Sequence, residues 1–308
     1  MKKTILVVVF LFYIITISAQ QDPQYTQYMY NMNVVNPAYA TDTRSVLDIG
    51  TLYRTQWVGA VGAPKTLTVF AHLPVNKKIE MGFSMISDDI GDGAKKENNF
   101  YADFAYVLQL DEKHKLSLGL KAGATSIQTN FNGFKFESST PDLAFESTNF
   151  VKPNVGIGAY YFTDTYYIGL SAPNLLNSKH IINNSGISGY GSESIHAFLT
   201  AGYVFELSDS FKLKPAFLTK FVDGAPLNLD VSANVLYQDQ FELGAAYRIG
   251  DAISALMNVR VSPVIKVGYA YDYTLSNLGK YSSGSHELFL LFNLDVLGKR
   301  FDKSPRFF

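Results

Sequence analysis

Apolar and polar residues alternate one for one along stretches of strand length through most of this chain, and that period admits few folds. Successive side chains of a strand point to opposite faces. From Val46 to Trp57, residues Leu47, Ile49, Thr51, Tyr53, Thr55 and Trp57 share one face, while Asp48, Gly50, Arg54 and Gln56 share the other. Between Lys115 and Thr125, Leu116, Leu118, Leu120, Ala122 and Ala124 oppose Ser117, Gly119, Lys121 and Gly123. Between Pro226 and Tyr237, Leu227, Leu229, Val231, Ala233 and Val235 oppose Asn228, Asp230, Ser232 and Asn234. One face suits lipid and the other a polar lumen. In lipid every backbone group must be paired within the protein, which leaves only helices and closed barrels. Beyond residue 19 no run approaches the roughly eighteen uninterrupted apolar residues of a spanning helix. The expected fold is therefore all-β: a transmembrane antiparallel up-and-down β-barrel.

Fourteen strands are expected, near 45–57, 64–73, 78–88, 97–110, 114–128, 151–163, 165–172, 194–207, 211–222, 225–238, 240–250, 252–262, 263–275 and 284–295. Tight turns at Pro74-Val75-Asn76-Lys77, Asp111-Glu112-Lys113, Thr163-Asp164-Thr165, Ser208-Asp209-Ser210, Gln238-Asp239-Gln240 and Ser262-Pro263 fall at every second junction. Between them, 89–96, 129–150, 173–193 and 276–283 are longer and rich in Gly, Ser, Asn and charge, while outer connections near 58–63, 223–224 and 251 are short. Short periplasmic turns and longer outer loops are the asymmetry of such barrels. An even strand count returns both chain ends to the periplasmic side.

Aromatic residues make up 14% of the chain, with 20 Tyr and 23 Phe against a single Trp. That enrichment suits strands and the aromatic girdles at headgroup level; an aromatic-rich soluble sandwich is the competing fold. A net charge of −1 without a Lys/Arg cluster sets nucleic acid aside as a partner. Zero cysteines exclude a disulfide, a thiolate zinc site and a lipid-modified cysteine. Lys2 and Lys3, the apolar run from Ile5 to Ile17 and Ser18-Ala19 have the form of a signal peptide over 1–19, so the mature chain is expected to begin at Gln20. Residues 20–44 then precede a barrel over 45–296, and 297–308 form a periplasmic tail. The leading segment is amphiphilic, aromatic and poor in charge, unlike a solvated tail. It is expected to pack in the lumen or at the periplasmic mouth through its Asn, Gln and Tyr side chains.

The polar face collects Asp48, Arg54, Glu80, Asp103, Lys121, Lys220, Asp230, Glu242, Arg248, Arg260, Lys266, Asp272 and Glu287, with the two signs about balanced. Balance favours internal ion pairs and a filled lumen over an ion-selective pore; fourteen strands lie between the filled small barrels and the open large ones. His72, His114, His180, His196 and His286 show no metal-ligand spacing, so no metal or cofactor is expected. Ser285 and His286 are adjacent and so point to opposite faces, which argues against a hydrolase pair. Asp88-Asp89-Ile90-Gly91-Asp92-Gly93 is acidic and glycine-rich but lacks calcium-loop spacing, and reads as a solvated loop. Trp57 stands where the first strand meets its outer loop, as an interfacial anchor, beside the small apolar run Val58 to Pro64. That rim sector suits hydrophobic docking or strand addition.

Certain segments run in order along the chain: Gln27-Tyr28-Met29-Tyr30-Asn31, Asn36-Pro37-Ala38-Tyr39-Ala40, Arg54-Thr55-Gln56-Trp57, Gly62-Ala63-Pro64-Lys65-Thr66, Asp89-Ile90-Gly91, Ser171-Ala172-Pro173-Asn174-Leu175-Leu176, Ser285-His286-Glu287 and Ser304-Pro305-Arg306-Phe307-Phe308. Together they resemble the PorP/SprF family of type IX secretion system outer-membrane proteins. The resemblance implies a non-enzymatic protein of Bacteroidota-type outer membranes. It would support secretion and cell-surface attachment of a cognate adhesin-like protein by binding that client's C-terminal sorting domain, in some members for gliding motility. Other type IX secretion components and outer-membrane lipid would be further partners. Client contacts are then expected at the outer rim, from Trp57, Val58, Val61, Pro64, Asp89, Asp92, Phe131, Phe134, Phe145, Leu175, Ile187 and Tyr190. Tyr28, Asn31, Asn36, Pro37, Tyr39, Arg54 and Gln56 are the motif residues expected in or beside the leading segment. The competing function is a FadL-like transport barrel for a hydrophobic or small solute past a movable plug.

Overall fold

The computed structural model describes residues 23–41, 46–131, 147–176, 179–182, 189–192 and 195–296. The signal-peptide and C-terminal tail expectations lie outside these residues. Strands β1 (Val46–Thr55), β2 (Lys65–Pro74), β3 (Ile79–Ile90), β4 (Lys95–Gln109), β5 (Lys115–Thr129), β6 (Thr148–Phe162) and β7 (Tyr166–Asn174) pair each with the next, antiparallel. β8 (Lys179–Ile182) and β9 (Gly189–Ser192) form a separate hairpin in the following outer connection. β10 (His196–Tyr203) continues as β11 (Phe205–Glu206). The wall is completed by β12 (Phe211–Val222), β13 (Asn228–Tyr237), β14 (Phe241–Arg248), β15 (Ala252–Arg260), β16 (Ile265–Thr274) and β17 (Ser285–Asp295). β1 pairs with β17 from Val46 opposite Asp295 to Thr55 opposite His286, which closes the ring.

β10 and β11 are one strand of the wall, so the barrel has fourteen. The break has a simple cause. Gly202 lies opposite Ala216 and Phe205 opposite Leu213, so the missing rungs fall at Pro215, which has no N–H to donate.

Side chains follow the period of the sequence. Along β13, Asp230, Ser232 and Asn234 are buried while Val231, Ala233 and Val235 are exposed on the outer surface. Leu118, Leu120, Ile157, Leu170, Leu243, Met257 and Leu288 extend that apolar band around the wall. At the end bearing the tight turns, Tyr166 stacks on Tyr203 at 6.1 Å and Phe211 meets Tyr237 at 4.8 Å, an aromatic girdle of the kind found at a membrane interface. Among the described residues no helix is long and apolar enough to cross a membrane.

Two local expectations are corrected. The stretch 89–96 is not a long loop: β3 runs to Ile90, β4 starts at Lys95, and only 91–94 turn. Asp88 keeps the alternation and points into the barrel, where Thr66 Oγ1 donates to it at 2.5 Å. Trp57 does not continue the outer face of β1. The strand ends at Thr55, and Trp57 takes φ +44° in the turn that follows.

Candidate functional site

The lumen is occupied by the chain's own leading segment. Residues 23–41 run through the barrel, with a 3₁₀ turn at Tyr28–Tyr30 and a single helical turn at Met32–Val35. Tyr28, Met29, Tyr30, Met32, Val35 and Ala38 form a core with Leu52, Phe70, Tyr160, Phe162, Tyr167 and Phe289 of the wall. Tyr30 stacks on Phe289 at 4.5 Å, and Tyr39 meets His72 and Tyr160.

Polar contacts fix the direction of the thread. Near the outer mouth, the backbone N–H groups of Thr26 and Gln27 donate to the two oxygens of Glu287 at 2.9 and 2.7 Å. Arg54 donates to Glu287 at 3.1 Å, to Asp272 at 2.7 Å and to Thr26 Oγ1 at 3.0 Å. Tyr25 and Thr68 share a hydrogen bond at 2.8 Å. Further in, Tyr30 donates its hydroxyl proton to Glu242, and Lys266 lies 4.0 Å from the centre of its ring. Lys121 reaches the Asn33 carbonyl, and Ser171 that of Val35. At the turn end Asn36 Nδ2 donates to the Ala159 carbonyl and the Thr41 N–H to Glu80. Residue 23 therefore lies toward the outer loops and residue 41 toward the periplasmic turns, which corrects the expectation that the leading end stays on the periplasmic side: the segment crosses the lumen before β1 begins.

The wall is cut to fit. A Cβ on Gly119 would overlap the main chain of Pro37 and Ala38, and one on Gly158 would overlap the Asn36 side chain. Several buried charges are paired: Lys121 with Asp103 at 2.7 Å, Arg248 with Asp230 at 2.8 Å, Lys214 with Glu242 at 2.7 Å. Beside the segment's outer end lies a cavity of about 80 Å³ between Pro23, Tyr25, Tyr28, Phe198 and Arg248.

Of the residues anticipated around the leading segment, Tyr28, Asn31, Asn36, Pro37 and Arg54 are buried inside the barrel and Tyr39 is half-buried there. Gln56 is instead at the rim, its N–H donating to the Pro64 carbonyl. Lys214, fully buried on Glu242, was missed. Its signal was present, because Lys212, Lys214, Ala216 and Lys220 share one parity along β12.

The rim residues form an arc. The Trp57 N–H donates to Ser285 Oγ at 3.1 Å, Val58 N–H to the Gly284 carbonyl, and Ser283 N–H back to the Val58 carbonyl. The β1–β17 pairing thus continues above the wall. Gly91 N–H donates to the Gly62 carbonyl, which ties this loop to the β3–β4 turn, where Asp92 lies 3.5 Å from Lys65 and Asp89 caps Gly93. Pro64 is half-buried and Val61 fully exposed. Phe131 follows β5, and Leu175 N–H donates to the Val155 carbonyl at the end of β7. Phe134, Phe145 and Ile187 lie outside the described residues, as does the side chain of Tyr190, which falls in β9. Ser285 faces inward, while His286 bonds the Tyr269 hydroxyl on the outer face, so the two do not meet.

The family described as type IX secretion system membrane protein PorP/SprF matches residues 17–292. The chain belongs to this family. No curated protein matches it. Among solved structures, this PorP/SprF chain is similar to a FadL homologue of Pseudomonas aeruginosa, with 13% identity, a TM-score of 0.51 and coverage of 90% of this chain and 96% of that one. It is also similar to the outer membrane protein Omp33 of Acinetobacter baumannii, with 7% identity, a TM-score of 0.48 and coverage of 82% and 100%. At such identities the likeness to the FadL homologue speaks to the barrel fold alone. The PorP/SprF chain is an outer-membrane barrel of the type IX secretion apparatus, of a type not known as enzymatic.

Proposed function

We propose that this PorP/SprF protein holds a cognate secreted protein at the cell surface, binding the client's C-terminal sorting domain on the arc of outer loops from Trp57 to Leu175. The observation that carries this reading is the filled lumen. Passage of a solute would require dismantling the Arg54, Asp272 and Glu287 cluster, and separating a buried ion pair costs about 3–5 kcal/mol. The rim needs no such rearrangement. It presents Val61, fully exposed, and Tyr281, 74% exposed, directly to whatever emerges above the membrane. Such residues suit the apolar anchors of a protein interface. Adhesin-like clients and contacts with other secretion components belong to the same reading.

Extraction of the native protein in mild detergent, followed by mass spectrometry, tests it. A large exported protein near one-to-one with the barrel, lost when 57–64 and 276–284 are exchanged for inert loops, is the expected result. Recovery of the barrel alone with a solute in its lumen would replace docking by transport.

A further inference from the structure

Beside the ladder break at Pro215, the lipid-facing side of the wall is hollowed into a groove of about 750 Å³, within the roughly 300–1,000 Å³ typical of ligand sites. The register shows how it arises. On the outer face one row runs Ile168, Ala201, Phe217 and Val231 across β7, β10, β12 and β13, so a methyl group stands between an isoleucine and a phenylalanine. One row nearer the tight turns, the short ring of Pro215 is flanked by Ala233. The inward residues behind this face add little bulk, because Gly202 lies opposite Ala216. A Cβ on Gly202 would lie 2.6 Å from the Tyr167 ring. Tyr167 therefore packs against the wall from inside at Gly202 and contributes to the floor of the groove.

Depth decides what can enter. The groove follows β12 from Pro215 to Thr219, about 13 Å at roughly 3.3 Å per residue. In a strand tilted by about 45° that length covers about 9 Å of depth, less than the roughly 15 Å of hydrocarbon in one leaflet. Its lower end lies at the girdle where Tyr166 stacks on Tyr203, and its upper end at Thr219 and Leu229. The groove thus belongs to the periplasmic leaflet. Apart from Thr219 and the tyrosine hydroxyls, its side chains are apolar, and it is continuous with the apolar band of Ile168 and Leu170 that faces hydrocarbon.

We propose that this groove binds one acyl chain of a glycerophospholipid of the periplasmic leaflet, with the headgroup at Tyr166 and Tyr203. The site is elongated along the strands, apolar along its length and closed below by the rings that sit at headgroup level, which is the layout of a single lipid chain. A hollow left unfilled forfeits the dispersion contacts of its lining, and a flexible methylene chain can follow its uneven walls. A second barrel related by a two-fold axis would set this hollow against itself and leave it unfilled. The proposal rests on the barrel and its membrane, and not on what the outer rim binds.

Native mass spectrometry of the barrel, purified from outer membranes and washed in mild detergent, tests it. One glycerophospholipid per barrel is expected to remain. Ala201→Phe fills the hollow from an outward position and is expected to lower retention about tenfold, as when roughly two methylenes lose their berth. Leu243→Phe, on the outer face of β14, is expected to leave retention unchanged, with heat-modifiable migration normal in both variants. In the wild type, a phospholipid carrying a diazirine in its chain should crosslink to Ile168, Ala201 or Phe217 in preference to Leu243, a readout independent of any substitution. Equal retention by Ala201→Phe, crosslinks spread evenly around the wall, or a wild type stripped of lipid would each overturn the proposal. So would lipid A or a protein-linked acyl chain found in the phospholipid's place, or a barrel dimer that Ala201→Phe abolishes.

Discussion

Arg54 is 2% exposed and holds Asp272, Glu287 and Thr26 at once. Arg54→Ala leaves two buried carboxylates without their cation, so a loss of about 3–5 kcal/mol is expected. It should appear as a lower urea midpoint and as protease cleavage within 23–41. Gly119→Val makes a different test, because its side chain would need the space of the Pro37 and Ala38 backbone. The chain has no cysteine, so a single cysteine at Ala38 reports cleanly: inaccessible to maleimide in the parent, labelled once Gly119→Val displaces the segment. At the periplasmic turn, hydrogen bonds from His114 and from the Lys113 and His114 N–H groups hold the Asp111 carboxyl down to about 2. A lowered carboxyl favours the folded turn above the ordinary carboxylate range, and that preference is lost as pH falls through about 2. An NMR titration of the Asp111 carboxyl should give that midpoint, moving up in His114→Ala. The inward charges were legible in the sequence because each sits at fixed parity. The partner each one takes was not, since Arg54 reaches residues more than two hundred positions away.

The plug is an element without a repeating pattern. Its composition showed that residues 20–44 would avoid solvent, but its direction through the lumen depends on Glu287, Glu242 and Glu80 at successive depths, and no local pattern encodes that. Deleting 23–41 removes the core formed with Tyr160 and Phe289, and single-channel recordings should change from closed to steadily conducting. An unchanged, closed trace would show that the outer loops seal the barrel instead. The strands were legible because alternation is local and strong. Where it misled, chemistry explains why: Asp88 and Asp89 are polar enough to suggest a loop, yet one points in and the other out. Trp57 fits the parity of β1, but the backbone has already turned.

On the scale of the whole molecule, closure by β1 and β17 leaves no edge in the membrane. The barrel should therefore migrate anomalously in cold detergent and normally after boiling. The direction of the thread predicts sidedness: a membrane-impermeant reagent added to intact cells should label a cysteine at Gln24 but not one at Lys78, in the turn between β2 and β3. The reverse pattern would invert the molecule. Family membership and barrel class were both readable from residues alone, whereas the extra height of β4, β5 and β6, 15 residues each against nine in β7, became visible only with the ladder pairings in hand.

The leading segment is synthesised before any strand, yet it grips Arg54 and Thr68 on β1 and β2 and Asp272 and Glu287 on β16 and β17. These pairs lie on either side of the seam where the first strand meets the last. The segment is thus placed to act as a template during biogenesis, aligning the two ends of the sheet before they zip. Weakening its grip should slow maturation of the nascent barrel more than it harms one already closed.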